Sequence, residues 1–225
     1  MDFLTFRERL SPMGCFNVNQ VRLWEPDFDR NCLTRWCRKR LLVKLRNEWY
    51  AFSEYKQVPD FERYIANRIY APSYVSLHSA LSFYGMIPEE VLSLTSVTTL
   101  KTAKFENAFG TFSYQNVKPS LFFGYEPKTM LNGRTILFAT PEKALLDLLY
   151  LNPYYKTEED MEQLRLDEDF MLTQLNRDRM MQFLPKMGNR ALEQRVNLLL
   201  KTYGLFSQAY AWNSDVVHTP YPIVR

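Results

Sequence analysis

The spacing of the apolar residues changes inside a short basic segment, from a helical period to alternation. Between residues 30 and 46 every charged side chain is basic, and there are seven: Arg30, Arg35, Arg38, Lys39, Arg40, Lys44 and Arg46. A chain that changes period within so few residues has to place a helix directly before a strand. The segment therefore predicts a short basic helix followed by a β-hairpin.

The helical part has two different faces. We expect the helix to begin after a cap at Asp27 or Asp29 and to end near Arg40. One face is an apolar stripe that points to a core: Leu33, Trp36, Cys37 and Leu41. A second face carries side chains of the types that hydrogen-bond to base edges and phosphates: Asn31, Thr34, Arg35 and Arg38. Arg30 and Lys39 flank this second face.

The alternating part predicts a two-stranded hairpin. The first strand is Leu42–Arg46, residues 47–48 supply a turn, and Trp49–Phe52 returns as the second strand. Lys44 and Arg46 are two residues apart, so alternation predicts that both lie on the solvent face. We expect these two cations to contact DNA phosphates or the minor groove.

The upstream residues complete a known arrangement. Two short helices are expected over residues 2–10 and 17–24, and the order helix, helix, basic helix, hairpin is that of a winged helix-turn-helix, which we assign to residues 1–56. The first 52 residues hold ten Lys and Arg against six Asp and Glu, whereas the other 173 hold eighteen against nineteen. Such concentrated positive charge predicts binding to double-stranded operator DNA, on repeated half-sites. A solvated helix face is the alternative explanation.

The rest of the chain predicts a larger mixed α/β domain that ends in helices, over residues 57–204, so that the whole fold is α+β. Strands are expected at residues 94–99, 111–117, 121–125 and 135–139, and helices at 59–69, 76–84, 141–150, 168–184 and 189–202. Thr140 is expected to cap the helix that begins at Pro141. Residues 205–225 have no periodicity and are interpreted as an irregular tail.

Several classes of function are disfavoured by the composition. The chain has no glycine-rich phosphate loop, and its two histidines have no partner at metal-ligand spacing, so we expect no cofactor, no metal and no enzyme activity. Three cysteines, all in the basic domain, are expected to be reduced thiols of a cytoplasmic protein. No apolar run has the length of a membrane span.

Glu142, Lys143 and Asp147 are the residue types of a nuclease site. Glu142 and Asp147 are five residues apart, about 140° around a helix, so they would not converge on one metal ion. We expect Glu142 to favour the helix start and Lys143 and Asp147 to form a surface or interdomain ion pair.

Two stretches resemble hallmarks of a known family. Residues 74–85 read YVSLHSALSFYG and residues 139–147 read ATPEKALLD. Both are similar to motifs of the AbiEi-type antitoxin and transcriptional regulator family, and residues 33–51 resemble the end of its winged helix. That family's hairpin turn typically carries glycine, where this chain has Asn47 and Glu48. The resemblance implies a bacterial repressor of its own operon that counteracts a nucleotidyltransferase-like toxin.

Two other hypotheses stay open. The larger domain could sense a small ligand in a regulator that has no toxin partner. Alternatively, the chain could be a nucleic-acid-processing enzyme that uses the winged helix for targeting. A neighbouring nucleotidyltransferase gene would favour the antitoxin, and a metal-dependent activity lost on changing Glu142 or Asp147 would favour the enzyme.

Overall fold

The computed structural model describes residues 1–89, 91–130 and 133–205, and it confirms an α+β fold. We call residues 1–56 the amino-terminal unit and residues 57–205 the larger unit. The amino-terminal unit contains α1 Phe3–Leu10, β1 Cys15–Asn17, α2 Val18–Trp24, α3 Asn31–Arg38, β2 Leu42–Arg46 and β3 Trp49–Phe52. The predicted tail lies, except for Leu205, outside the described residues.

The amino-terminal unit is three helices on a small sheet. The antiparallel sheet has the order β1-β3-β2, and β1 is a strand that the sequence analysis did not predict. Asp2 caps α1, and Asn17 forms a capping box with Gln20 at the start of α2. The core that joins the helices to the sheet contains five buried aromatic residues: Phe6, Phe16, Phe28, Trp36 and Phe52.

The larger unit consists of a six-stranded mixed sheet and the helices that pack against it. Its strand order is β6-β7-β5-β4-β9-β8, and β4-β9 and β5-β7 are the parallel pairs. The strands are β4 Ser73–Val75, β5 Ser93–Thr98, β6 Ala103–Asn107, β7 Gly110–Asn116, β8 Tyr125–Thr129 and β9 Thr135–Ala139. The helices are α4 Phe61–Ile69, α5 Leu77–Phe83, α6 Pro141–Leu151, α7 Glu158–Glu162, α8 Glu168–Thr173, α9 Arg177–Met187 and α10 Arg190–Thr202.

Two predicted elements of the larger unit were wrong. Residues 121–125 do not form a strand, because Leu121 ends a 3-10 helix and Phe122 packs its ring against Tyr74 and Tyr125. The single helix predicted over 168–184 is broken into α8 and α9. Asn176 makes the break, since its side chain accepts a hydrogen bond from the Arg179 backbone N–H and so starts a new helix.

The two units share part of their apolar core. The proposed boundary falls in a 3-10 helix, Ser53–Gln57, yet one continuous cluster contains residues from both sides of it. Cys15, Leu45 and Ala51 come from the amino-terminal unit, and the residues they join are Phe61, Ile65, Ala66, Ile69, Phe112 and Tyr114. Separating the units would therefore expose apolar surface on both.

The sequence analysis predicted a surface or interdomain ion pair between Lys143 and Asp147, and this was wrong, because the pair is fully buried inside the larger unit. Both side chains have a relative exposure of 0%. The pair lies on α6, whose neighbours cover it on all sides, so the i, i+4 spacing that normally marks an exposed pair marks an interior one here. Burial raises the pKa of Asp147, and Lys143, Ser76 and Tyr74 oppose that rise.

Two hydroxyl groups complete this buried cluster. The Tyr74 hydroxyl donates to Asp147 Oδ2 at 2.9 Å, and the Ser76 hydroxyl donates to the same oxygen at 2.8 Å. Lys143 Nζ donates to the Tyr74 hydroxyl oxygen at 2.8 Å. The first motif supplies Tyr74 and Ser76 and the second supplies Lys143 and Asp147, so one polar cluster links the two motifs inside the core.

We predict that Asp147→Ala lowers the free energy of unfolding by about 3–5 kcal/mol, because it leaves the Lys143 ammonium buried without its carboxylate. The double variant Lys143→Met, Asp147→Leu removes both charges and should lose less than Asp147→Ala alone. Urea denaturation of the single and double variants measures this difference. A double variant that loses as much stability as Asp147→Ala would contradict the prediction that the unpaired charge causes the loss.

Candidate nucleic-acid interface

The polar residues predicted on one side of the basic helix do share an exposed surface. We call it the α3 face, and its exposed members are Asn31, Thr34, Arg35 and Arg38. The opposite side of α3 is buried, with Leu33 at 1% and Trp36 at 4% relative exposure. Lys39 and Arg40 follow the helix and are also exposed. The helix ends at Arg38 rather than near Arg40, and Arg40 takes a left-handed φ of 57°.

Aromatic packing holds α3 at a fixed angle to the rest of the unit. The Trp36 ring lies 4.6 Å from Phe6 and 5.3 Å from Phe3, measured between centroids. Phe28, in the segment between α2 and α3, lies 6.1 Å from Trp36. Since Trp36 and the α3 face belong to the same short helix, this packing also fixes the direction in which the face points.

Local contacts orient three groups at the start of α3. Asp29 accepts a hydrogen bond from the Asn31 backbone N–H at 2.9 Å. The cap residue of α3 is Arg30, whose side chain makes no capping hydrogen bond, so the predicted cap at Asp27 or Asp29 is wrong. Arg30 forms an ion pair with Glu48 at 2.9 Å. This pair joins the start of the helix to the hairpin turn, where Glu48 has a φ of 64°. The turn therefore keeps the left-handed backbone that favours glycine, although the residue is glutamate.

The hairpin separates the two cations that alternation had placed together. Lys44 is exposed, as predicted, and it lies beside Cys37 of α3. Arg46 is half-buried, which corrects the prediction that it shares the solvent face of Lys44. The reason is a β-bulge: Lys44 pairs with Tyr50 but Arg46 pairs with Trp49, so one extra residue turns the end of β2.

The Arg46 side chain packs against the larger unit. Its Nη1 donates to the Ile69 carbonyl oxygen at 2.7 Å, at the end of α4. Its guanidinium carbon also lies 4.5 Å from the centroid of the Phe105 ring and 5.1 Å from that of Tyr70. A cation at a helix carboxyl end is favourable, and the two rings add cation–π attraction. Arg46 is therefore an interdomain anchor.

A second arginine makes the reverse contact. Arg134 of the larger unit donates from Nη1 to the Pro12 carbonyl oxygen at 3.1 Å, and its guanidinium carbon lies 5.0 Å from the Tyr55 and Tyr64 ring centroids. Gly14 lies against this guanidinium with a φ of 71°, and a Cβ there would be 2.9 Å from Arg134. Only glycine fits this close approach without strain.

The sequence analysis missed parts of this surface. Arg40 was counted in the basic run but not among the site residues, although it is exposed beside Lys39. Asn47 is exposed at the hairpin turn and can donate hydrogen bonds. Both signals were available in the sequence. The separation of Arg46 from Lys44 was not, because a bulge leaves no mark in an alternating pattern.

The acidic residues considered as a nuclease site are held apart. Glu142 is buried and accepts a hydrogen bond from the Asn176 backbone N–H at 3.0 Å, whereas Asp147 belongs to the cluster with Lys143. Within the described ranges, no group of three or more His, Cys, Asp and Glu side chains could hold a metal ion. Burial lowers the pKa of His78, and His218 lies outside the described residues.

The cysteines are all free thiols. Burial raises the pKa of the Cys15 thiol to about 12, so that this group stays protonated and unreactive near neutral pH. Burial also raises the pKa of the half-buried Cys37, with Lys44 opposing the rise.

Comparison of the sequence with protein-family models and with curated proteins finds no match. Among the helices that the structure describes, none has the length and apolar character needed to cross a lipid bilayer.

Lys44 and Arg46 lie on the same strand and carry the same charge, so they form a matched pair. We predict that Arg46→Gln lowers the free energy of unfolding by about 1–3 kcal/mol, because it removes a charged hydrogen bond and two ring contacts. Lys44→Gln should change it by less than about 0.5 kcal/mol, as expected for an exposed residue. Thermal and urea denaturation measure both values, and equal losses would contradict the anchoring role of Arg46.

Proposed function

We propose that this chain is a DNA-binding transcriptional regulator and that residues 1–56 form a winged helix-turn-helix. The observation that carries the proposal is the α3 face, on which two arginines and two hydrogen-bonding side chains are exposed while the opposite side of the helix is buried. Arginine and asparagine on an exposed helix can hydrogen-bond to base edges in the major groove. A neutral or acidic surface at this position would have argued against DNA.

The order of elements supports a winged helix. Helix α3 follows α2 after a short connection, and the β2-β3 hairpin follows α3 directly. In this arrangement α3 enters the major groove and the hairpin lies along the neighbouring backbone. Lys44 is then the hairpin cation available for phosphate, since Arg46 is bound to Ile69. One such unit makes few contacts, so two copies on repeated half-sites are proposed for the operator.

We propose further that the protein is a cytoplasmic bacterial antitoxin that represses its own operon and counteracts a nucleotidyltransferase-like toxin. Support comes from the two motifs that resemble AbiEi-type proteins, because both lie in the larger unit and share one buried cluster. Residues that meet in this way specify a particular packing of α6 against the sheet. The motifs thereby define the scaffold on which a neutralising surface would be built.

A ligand-sensing regulator is the alternative function, and one cavity favours it. A space of about 470 Å³ lies in the larger unit beside α5 and α6. Its walls are mainly apolar and include Leu81, Ile87, Leu148 and Leu164, and its polar groups are His78, Glu89 and Gln163. This volume and this balance of groups suit a small, mostly apolar molecule.

The DNA-binding proposal is tested on the α3 face. The double variant Arg35→Ala, Arg38→Ala should weaken binding to the DNA upstream of the protein's own gene by roughly 1–3 kcal/mol for each arginine that contacts a base. Arg190→Ala, which removes an exposed arginine from α10, is the matched control and should bind as the parent does. Fluorescence anisotropy at two salt concentrations measures the affinities. Undiminished binding by the double variant would exclude α3 as the element that binds DNA.

The antitoxin proposal is tested by separating the two activities in the full-length chain. Because the units share a core, substitutions are a cleaner tool than truncation. The Arg35→Ala, Arg38→Ala variant should still restore the growth of cells that express the neighbouring nucleotidyltransferase gene, while it fails to repress the promoter. A parent chain that gives no rescue would contradict the antitoxin proposal and favour the ligand-sensing regulator.

A further inference from the structure

The anchoring of Arg46 brings the hairpin against one edge of the larger sheet. Strand β2 lies beside β6, and the Asn107 side chain donates to the Leu45 carbonyl oxygen at 3.2 Å. The Arg46 guanidinium lies over Phe105 of β6, 4.5 Å from the ring centroid. These contacts come from residues about sixty positions apart in the chain, and they fix a strand of the larger unit next to the proposed DNA-binding hairpin.

Strand β6 alternates, and its outward side carries charge. Phe105 and Asn107 are half-buried towards the hairpin, whereas Lys104 and Glu106 are exposed. Lys104 therefore lies on the solvent side of the edge strand β6, and the other side of β6 packs against the hairpin. Lys104 does not belong to the basic segment of residues 30–46. The fold brings it near that segment, because β6 lies beside β2.

A groove lies between the two strands. Its volume is about 420 Å³, and its lining residues are Lys44, Leu45, Arg46, Asn47, Lys104, Phe105 and Glu106. Within the described part of the chain, neither Lys44 nor Lys104 forms an ion pair. Strand β2, which carries Lys44, packs against α3, so the groove lies close to the basic helix.

We propose that Lys104 of the larger unit binds the phosphate backbone of the same DNA duplex that α3 contacts. Two ammonium groups and one carboxylate, Glu106, line the groove, and neither lysine is paired with an acidic side chain of the described residues. Phosphodiester groups are the anions that a DNA-bound hairpin brings to this position. This inference rests on the proposed DNA binding and extends the interface beyond residues 1–56.

The contact has a specific signature in salt. Each phosphate that a protein cation neutralises releases counterions, which makes the logarithm of the binding constant fall by about 0.9 for each unit of log salt concentration in duplex DNA. Loss of one contact should flatten this slope by about one and weaken binding to specific and non-specific sequences alike. A residue with only a structural role would not change the slope.

The experiment compares single-residue variants of the full-length chain on a duplex that covers the DNA upstream of its own gene and on a scrambled duplex of equal length. Lys104→Gln should weaken binding to both duplexes roughly threefold to tenfold at low salt and flatten the salt slope by about one. Glu106→Gln should strengthen binding to both, because it removes the carboxylate of the groove. Lys118→Gln, an exposed lysine in a different cleft, is the control and should match the parent.

The outcomes separate this inference from the proposed function. If the Arg35→Ala, Arg38→Ala variant loses binding while Lys104→Gln keeps the parent's affinity and slope, the groove proposal fails and DNA binding by α3 stands. If neither variant differs from the parent, both proposals fail. Circular dichroism and thermal denaturation of each variant exclude unfolding as the cause, since Lys104 and Glu106 are exposed and their replacement should leave stability unchanged.

Discussion

Two arginines that cross between the units in opposite directions hold this structure together. Arg46 reaches from the hairpin to the end of α4, and Arg134 reaches from the larger unit to Pro12. Each guanidinium combines a hydrogen bond to a carbonyl with aromatic faces, which the planar, weakly hydrated arginine head tolerates better than an ammonium group would. Around them a shared apolar cluster excludes water. The direction in which α3 faces is consequently a property of the whole chain.

Lysine has two different roles in this structure, depending on whether its side chain is exposed or buried. Lys44 stays in solvent and keeps its charge available for a ligand, whereas Lys143 is fully buried and its charge is neutralised by Asp147. Burying two charges is costly, and replacing such a pair with apolar groups is often neutral or stabilising. What the pair and its two hydroxyl partners supply is a requirement for one arrangement, since any other packing of α6 would leave charges unpaired.

Periodicity predicted the parts of the fold that depend on local sequence. The two faces of α3, the hairpin, the Thr140 cap and the strand Thr135–Ala139 all follow from spacing and capping within a few residues. The errors share a different origin. The bulge that turns Arg46 inward, the burial of Lys143 and Asp147 and the loop after Leu121 depend on what packs against each segment. The spacing of residues within a segment does not show which other segment will pack against it.

A count of charges along the sequence does not show where those charges lie in space. The larger unit is nearly neutral in total, and its net charge alone would not predict that it binds an anion. Yet net charge averages over a whole surface, while a ligand responds to the charges within about a Debye length, ~8–10 Å. Lys104 shares a groove with Lys44 because Arg46 and Asn107 bring their strands together. The anchor that removes one cation from the proposed interface thus brings another one to it.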